Sequence, residues 1–380
     1  MKSYDLLLCG ARVIDPSQAV DGVMDVAFAN GRVVELGAAL DATKAKQVET
    51  LTDCIVTPGL IDLHTHVYWG GTSLGVEADQ YCRASAVTTV VDTGSVGPGN
   101  FAGFRRHVIE HAKSRILAYL HISHAGIYAF SNRVMVGESE EMRLMDPLTA
   151  VEVANANRDL IIGIKVRLGS WTSGIHGMAP FEYALQVAEE CGLPIMVHID
   201  DPPPSYDEVV RRLRPGDVLT HCFRPFPNAP LTGDGLVRPD VLAGRERGVL
   251  FDIGHGMASF SVKVARQMLE NGFMPDTISS DVHSLCIDGP AYDLPVTMSK
   301  FLSLGMPLFD VVRATTQAPA QAVRRSDLGT LAVDGIGDAS ILRIENEPVT
   351  FLDGDGQQFE GDRSLRPVGS VIGGELWRPI

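Results

Sequence analysis

Pro58-Gly59-Leu60-Ile61-Asp62-Leu63-His64-Thr65-His66 is an apolar run that ends in His-x-His. Residues two apart on a strand project to one face. His64 and His66 would therefore point together and could hold one divalent cation through two imidazoles. The run is short, rich in Ile and Leu, and introduced by Pro-Gly, which suits a buried strand better than a helix. Four further residues stand in similar settings. Lys165 lies in Gly163-Ile164-Lys165-Val166-Arg167, His198 closes Met196-Val197-His198, His221 closes Leu219-Thr220-His221, and Asp281 closes Ser279-Ser280-Asp281. A lone histidine on an apolar strand is ordinarily a hydrogen-bonded core or rim residue. Polar residues recurring at equivalent places on five strands point instead to a shared metal centre. The lysine is the odd member, because an ammonium repels cations and lysine is rarely buried unpaired. Neutral, its amine could add carbon dioxide and become a carbamate whose two oxygens bridge two metals. Otherwise it pairs with Asp281 or a substrate anion.

Such a centre needs a scaffold that brings strand ends together. Candidate strands occupy 60–67, 88–93, 116–123, 161–168, 195–199, 218–223, 249–253 and 277–282. Helix-sized segments lie between several of them, and 180–191 and 261–271 each stop at a glycine, Gly192 and Gly272. Eight strand-then-helix units predict a (β/α)8 TIM barrel, whose active-site face is built from the C-terminal ends of its strands. A doubly wound open sheet is the alternative, but no Gly-rich phosphate loop follows the first strand. Residues 1–55 and 328–380 read as short strands and turns, with Asn30-Gly31 as a hairpin signal. They predict one small β-sandwich domain composed of both termini, beside a metal-binding barrel at 56–327.

Acidic residues outnumber basic ones, 47 to 32, for a net charge of −15. With no basic cluster, this argues against nucleic acid and against anionic membrane surfaces as partners. A small anionic substrate remains compatible, since a local arginine outweighs distant screened charge. No apolar stretch reaches about 18 residues, so no transmembrane helix is expected. Met1-Lys2-Ser3-Tyr4-Asp5 does not read as a secretory signal, and the six scattered cysteines include no Cys-x-x-Cys. Reduced thiols and a cytoplasmic location are the expectation.

Several residues near those strand ends could meet a substrate. Arg167 follows Lys165 by two, so it should share the lumen-facing side, and its fork suits a carboxylate. A salt bridge to a loop acid is the competing reading. His283, two residues past Asp281, could donate to substrate or orient a ligand. His255, just after the seventh strand, and Tyr68, just after His-x-His, are further candidates. For these three, a hydrogen-bonded rim position or plain burial competes.

The six positions His64, His66, Lys165, His198, His221 and Asp281 resemble the amidohydrolase superfamily, in its subgroup with two metals bridged by a carboxylated lysine. Three finer features resemble the amidohydrolase/deacetylase branch, a relative of the dihydroorotases. They are Gly163-Ile164-Lys165-Val166-Arg167, Phe251-Asp252-Ile253-Gly254-His255-Gly256-Met257 and Asp281-Val282-His283-Ser284-Leu285. The resemblance implies that His64, His66 and Asp281 bind one divalent ion, that His198 and His221 bind a second, and that carboxylated Lys165 bridges them. It implies a hydroxide shared by the metals as nucleophile and Asp281 as proton shuttle. The substrate it implies is an acetylated α-hydroxy or α-amino carboxylate, cleaved at an ester or amide bond. Cyclic amide hydrolysis, dihydroorotase-like, is the rival within enzymes. A non-catalytic scaffold on the same barrel is the rival from another class. Histidine and carboxylate ligation suits zinc, and manganese, iron or cobalt also accept such ligands. A homo-oligomer is compatible with the sequence, which does not fix the oligomeric state.

Overall fold

The computed structural model describes residues 3–379; Met1, Lys2 and Ile380, at the outer ends of the expected composite domain, lie outside the described residues. Seven parallel strands pair in chain order: Leu60–Thr65, Val87–Thr93, Arg115–His121, Ile161–Leu168, Ile195–Ile199, Val218–Leu219 and Leu250–Phe251. Residues 277–282 take the eighth place. Single parallel bridges join Thr277 to Asp252 on one side and Val282 to Thr65 on the other. Asp281 N donates to His64 O at 2.8 Å and His255 N to Ser279 O at 3.2 Å, so both seams are hydrogen-bonded.

The last three strands are shorter than the sequence suggests, for a local reason. His221 (φ 62°) and Asp281 (φ 51°) sit in the left-handed region, where a ladder cannot continue. Such a conformation in a non-glycine residue costs on the order of 1–3 kcal/mol and persists only where the surroundings impose it. Both residues belong to the six-position set.

Alternation along the strands separates two packing surfaces. Ile61, Leu63, Val91, Leu117, Tyr119 and Met196 fill the lower barrel, while Val90, Ile116, Ile164 and Val166 pack against the surrounding helices. The helix Ala179–Cys191 illustrates the punctuation: Gly192, at φ 64°, ends it and donates to Ala188 O and Glu189 O.

The termini form one eight-stranded sheet. Its long first strand, Tyr4–Asp15, is bulged between Leu8 and Ala11. The first half pairs with Ala45–Thr50 and the second with Ile55–Pro58. Asn30 and Gly31, both at positive φ, turn Val20–Ala29 into Arg32–Gly37. Ile55–Pro58 also pairs with Ala339–Glu345, so strands from both ends share one core that includes Leu6, Phe28, Val56, Ile341 and Val371. Pro58 leaves this sheet directly into the His-x-His strand. A two-stranded hairpin, Val349–Leu352 with Gln358–Gly361, reaches back to the barrel, where Gly354 N donates to Phe260 O at 2.8 Å. No helix among the described residues is long and apolar enough to cross a membrane.

Candidate metal centre

All six expected positions converge at the barrel mouth, lining one small cavity of about 50 Å³ that opens to solvent. His64 Nε2 and His66 Nε2 lie 3.2 and 3.1 Å from the same atom, Asp281 Oδ1. Ligand atoms of these three buried residues fall within 4.8 Å of one another, the geometry of a shared cation site. His221 continues the ring, its centroid 5.1 Å from that of His64 and 4.5 Å from that of His198.

The outward nitrogens are held by groups that set each tautomer. His64 Nδ1 lies 2.7 Å from Thr220 Oγ1, whose hydroxyl donates to Asp252 Oδ2 at 2.8 Å. Thr220 must then accept from His64 Nδ1–H, which leaves the Nε2 lone pair facing inward. His66 Nδ1 meets Ser95 Oγ at 2.9 Å, and His221 Nδ1 donates to Gly254 O at 2.6 Å. Fully buried Asp252 also accepts from Thr277 and Ser279, tying the sixth, seventh and eighth strands together behind His64. Gly254, at φ 48°, leaves room for this junction: a Cβ there would lie 2.3 Å from Thr220 Oγ1 and 2.9 Å from the Nδ1 atoms of both His64 and His221.

Burial decides the charges. It holds the imidazoles of His64, His198 and His221 well below their ordinary range and brings His66 down to about 3. All four are therefore neutral at pH 7 and able to donate a lone pair. Burial lifts Asp281 to about 6 and brings the Lys165 amine down to about 7.

Three buried polar atoms in this ring have no hydrogen-bond partner among the described residues: Lys165 Nζ, His198 Nε2 and Asp281 Oδ1. Buried polar groups are otherwise almost always paired, so each exception calls for an explanation. Neutral imidazoles with oriented lone pairs, a carboxylate oxygen shared by two of them and an unpaired lysine form a donor set that fits divalent metal ions.

The same cavity holds groups suited to a substrate. Arg167 lines it with Nη1 on Glu138 Oε2 at 3.1 Å. The competing loop-acid reading is thus realised as well, since both the cavity position and the ion pair are present. His283 lines it too; Leu285 N donates to its Nδ1 at 3.2 Å, so its proton sits on Nε2. Leu74, Ile127, Phe130 and Met257 supply apolar wall.

Two expectations are corrected. His255 is fully buried and does not line the cavity; its Nε2 accepts from Lys300 Nζ at 2.7 Å and its ring stacks 4.7 Å from Phe260. A histidine just past a strand end lies near the mouth, but here the helix Leu294–Ser303 supplies Lys300 and turns the ring outward. Tyr68 packs 4.8 Å from Phe104 instead of walling the cavity, because the chain turns away after His66. The sequence reading did not identify Thr220, Asp252, Ser95 or Glu138. The only signal of the first two is a polar residue inside an apolar strand; their partners sit on other strands.

No family model matches the chain. Relatives do. A deacetylase of Brucella anthropi is 36% identical over 350 residues, 91% of this chain and 85% of the relative. A deacetylase of Enterococcus faecalis is 30% identical over 381 residues, 98% of this chain and 99% of the relative. Among solved structures, one described as a dihydroorotase superposes with a TM-score of 0.90 at 33% identity, covering 98% of this chain and 99% of that one. Another, described as an adenine deaminase, gives 0.91 at 29% identity, covering 99% and 100%. By these likenesses, the chain is a member of the amidohydrolase superfamily, in the branch that holds these deacetylases and neighbours the dihydroorotases.

Proposed function

We propose that the protein is a metal-dependent deacylase that removes an acetyl group from an acetylated α-hydroxy or α-amino carboxylate. One observation carries this reading. Lys165 is completely buried, its Nζ has no partner among the described residues, and it lines the same cavity as the four histidines, Asp281 and Arg167. His64, His66 and Asp281 would hold one divalent ion, His198 and His221 a second, and carboxylated Lys165 would bridge them. Zinc is the ion this donor set suits best. Two such ions would supply an activated water and an electrophile for the substrate carbonyl oxygen.

The chain's own residues do the rest. Asp281, held by strain at the end of the eighth strand, accepts the proton of the attacking water and returns it to the leaving oxygen or nitrogen as the acyl bond breaks. Arg167 takes the substrate carboxylate through N–H groups not engaged by Glu138. His283, held neutral by burial at about 4, offers its Nε2–H to the same end of the molecule. The wall of Leu74, Ile127, Phe130 and Met257 accommodates the apolar part of the substrate and excludes water.

The test is a panel of O-acetyl-α-hydroxy and N-acetyl-α-amino acids run beside dihydroorotate, with metal measured per chain. An acetylated acid should exceed dihydroorotate in kcat/KM by about tenfold or more, the discrimination expected of a site built around one substrate's polar groups. Faster turnover of dihydroorotate would replace deacylation with cyclic amide hydrolysis. That reading has its own support in the likeness to the solved dihydroorotase structure described above. Metal below about one ion per chain, with no turnover, would favour the non-catalytic scaffold.

A further inference from the structure

We propose that Glu138 is the positioning residue for Arg167, and through it a determinant of the protein's preference for anionic substrates. This rests on the reading above, in which Arg167 takes the substrate carboxylate. A guanidinium beside cation ligands needs a counter-ion, and Glu138 is the one the fold supplies. Its Oε2 lies 3.1 Å from Arg167 Nη1, and both side chains are nearly out of solvent. The second oxygen is also committed. His121 Nδ1 accepts from Ser123 N at 2.9 Å, so the His121 proton is on Nε2, and Nε2 donates to Glu138 Oε1 at 3.1 Å. Glu138 therefore presents neither oxygen to the cavity and does not line it. It acts on Arg167, not on substrate.

Two more contacts complete the mounting. The guanidinium lies 5.2 Å over the ring of Phe130, which also meets His283 edge-on at 5.6 Å. Nε and Nη2 of Arg167 have no protein acceptor among the described residues, which leaves one edge of the fork for a carboxylate. Glu138 itself is fixed by its neighbours in a long loop after the third barrel strand. Ser139 N donates to Thr172 O at 3.0 Å, and a Cβ on Gly137 would lie 2.6 Å from Trp171 O. The loops after the third and fourth strands are thus fastened together at the point where the counter-ion is delivered.

The experiment compares two ligands, the acetylated acid that the panel turns over fastest and its uncharged primary amide. Glu138→Gln should raise KM for the acid about tenfold, the worth of one charge-assisted hydrogen bond, leave kcat within about twofold, and leave KM for the amide unchanged. Phe130→Leu should shift the acid in the same direction by a smaller factor. Calorimetry with the deacetylated acid should reproduce the weakened binding without turnover. If Glu138→Gln lowers metal content or melting temperature, Glu138→Asp, which keeps the carboxylate but shortens its reach to Arg167, decides the matter by the same comparison. Equal effects on acid and amide, or none on either, overturn the proposal if Arg167→Met abolishes the distinction between them. If Arg167→Met leaves that distinction intact, the carboxylate reading of Arg167 falls, and this inference with it. If no acid in the panel is turned over, deacylation itself falls.

Discussion

Two lysines are buried completely among the described residues, and they differ in one respect. Lys165, on the fourth barrel strand, and Lys300, on the helix Leu294–Ser303, both have no exposed surface. Burial brings both amines down to about 7. Lys300 Nζ has three acceptors within hydrogen-bond reach: His255 Nε2 at 2.7 Å, Pro290 O at 2.8 Å and Leu352 O at 2.7 Å. Lys165 Nζ has no partner at all among the described residues. Burial and a lowered pKa therefore do not mark a functional lysine; an unanswered hydrogen-bonding capacity does. Lys300 joins the terminal hairpin, the helix and the loop after the seventh strand into one piece. Lys165 joins nothing in the protein alone.

The sharpest way to break this contrast is to replace each with methionine, which keeps length and removes the amine. Lys165→Met should reduce kcat/KM by about 10²-fold or more and lower bound metal from two ions toward one, read by elemental analysis. It should leave the melting temperature of the metal-free protein unchanged or raise it, because no hydrogen bond is lost. Wild-type turnover with full metal in that variant would end the binuclear reading.

Next in size is the support behind His64. Asp252→Asn keeps the shape but gives Thr220 a changed partner and disturbs the His64 tautomer. Loss of such outer supports typically costs 10–100-fold in metal affinity or activity. A competition titration with a chelator should show the loss in affinity. If affinity holds, the Thr220 and Asp252 chain merely fills space.

How much of this was legible before folding depends on where each partner lies. Position on a strand is local, so the period-two rule places His64 with His66 and Arg167 with Lys165, and strand ends could be aligned across the barrel. The interrupting glycines and Asn30-Gly31 are equally local. Thr220 to Asp252, Ser95 to His66 and Glu138 to Arg167 pair across 32, 29 and 29 residues, and no period links such positions. His255 and Tyr68 went astray for the complementary reason. Being next to a strand end puts a residue near the mouth, but whether it faces in depends on Lys300 and Phe104, which belong to other elements. The left-handed turns at His221 and Asp281, which cut the last strands short, are imposed by the closure of the barrel and leave no mark in residue type.

Lys300→Met should act oppositely to Lys165→Met. His255 Nε2 and two carbonyls lose their donor in the interior, at about 1–3 kcal/mol for a stranded group. A fall in melting temperature of several degrees is expected, with kcat changed by less than about threefold. A large kinetic defect with unchanged stability would reverse the roles assigned to the two lysines.

The smallest effect is the most diagnostic of how Lys300 is accommodated. Its amine falls from 10.5 to about 7 on folding because burial outweighs the pull of Asp353 and Asp293. Between those values the unfolded chain holds a proton that the folded chain has released. Stability therefore rises with pH across this window, is fully present above about 10.5, and is lost as pH falls through about 7. The slope from this one group is at most about 1.4 kcal/mol per pH unit. Urea midpoints at about pH 7.5 and 9.5 should separate more in the wild type than in Lys300→Met. Equal separations would mean that three acceptors keep the ammonium protonated in the fold. The satisfied lysine would then be a buried cation, differing from Lys165 in charge as well as in partners.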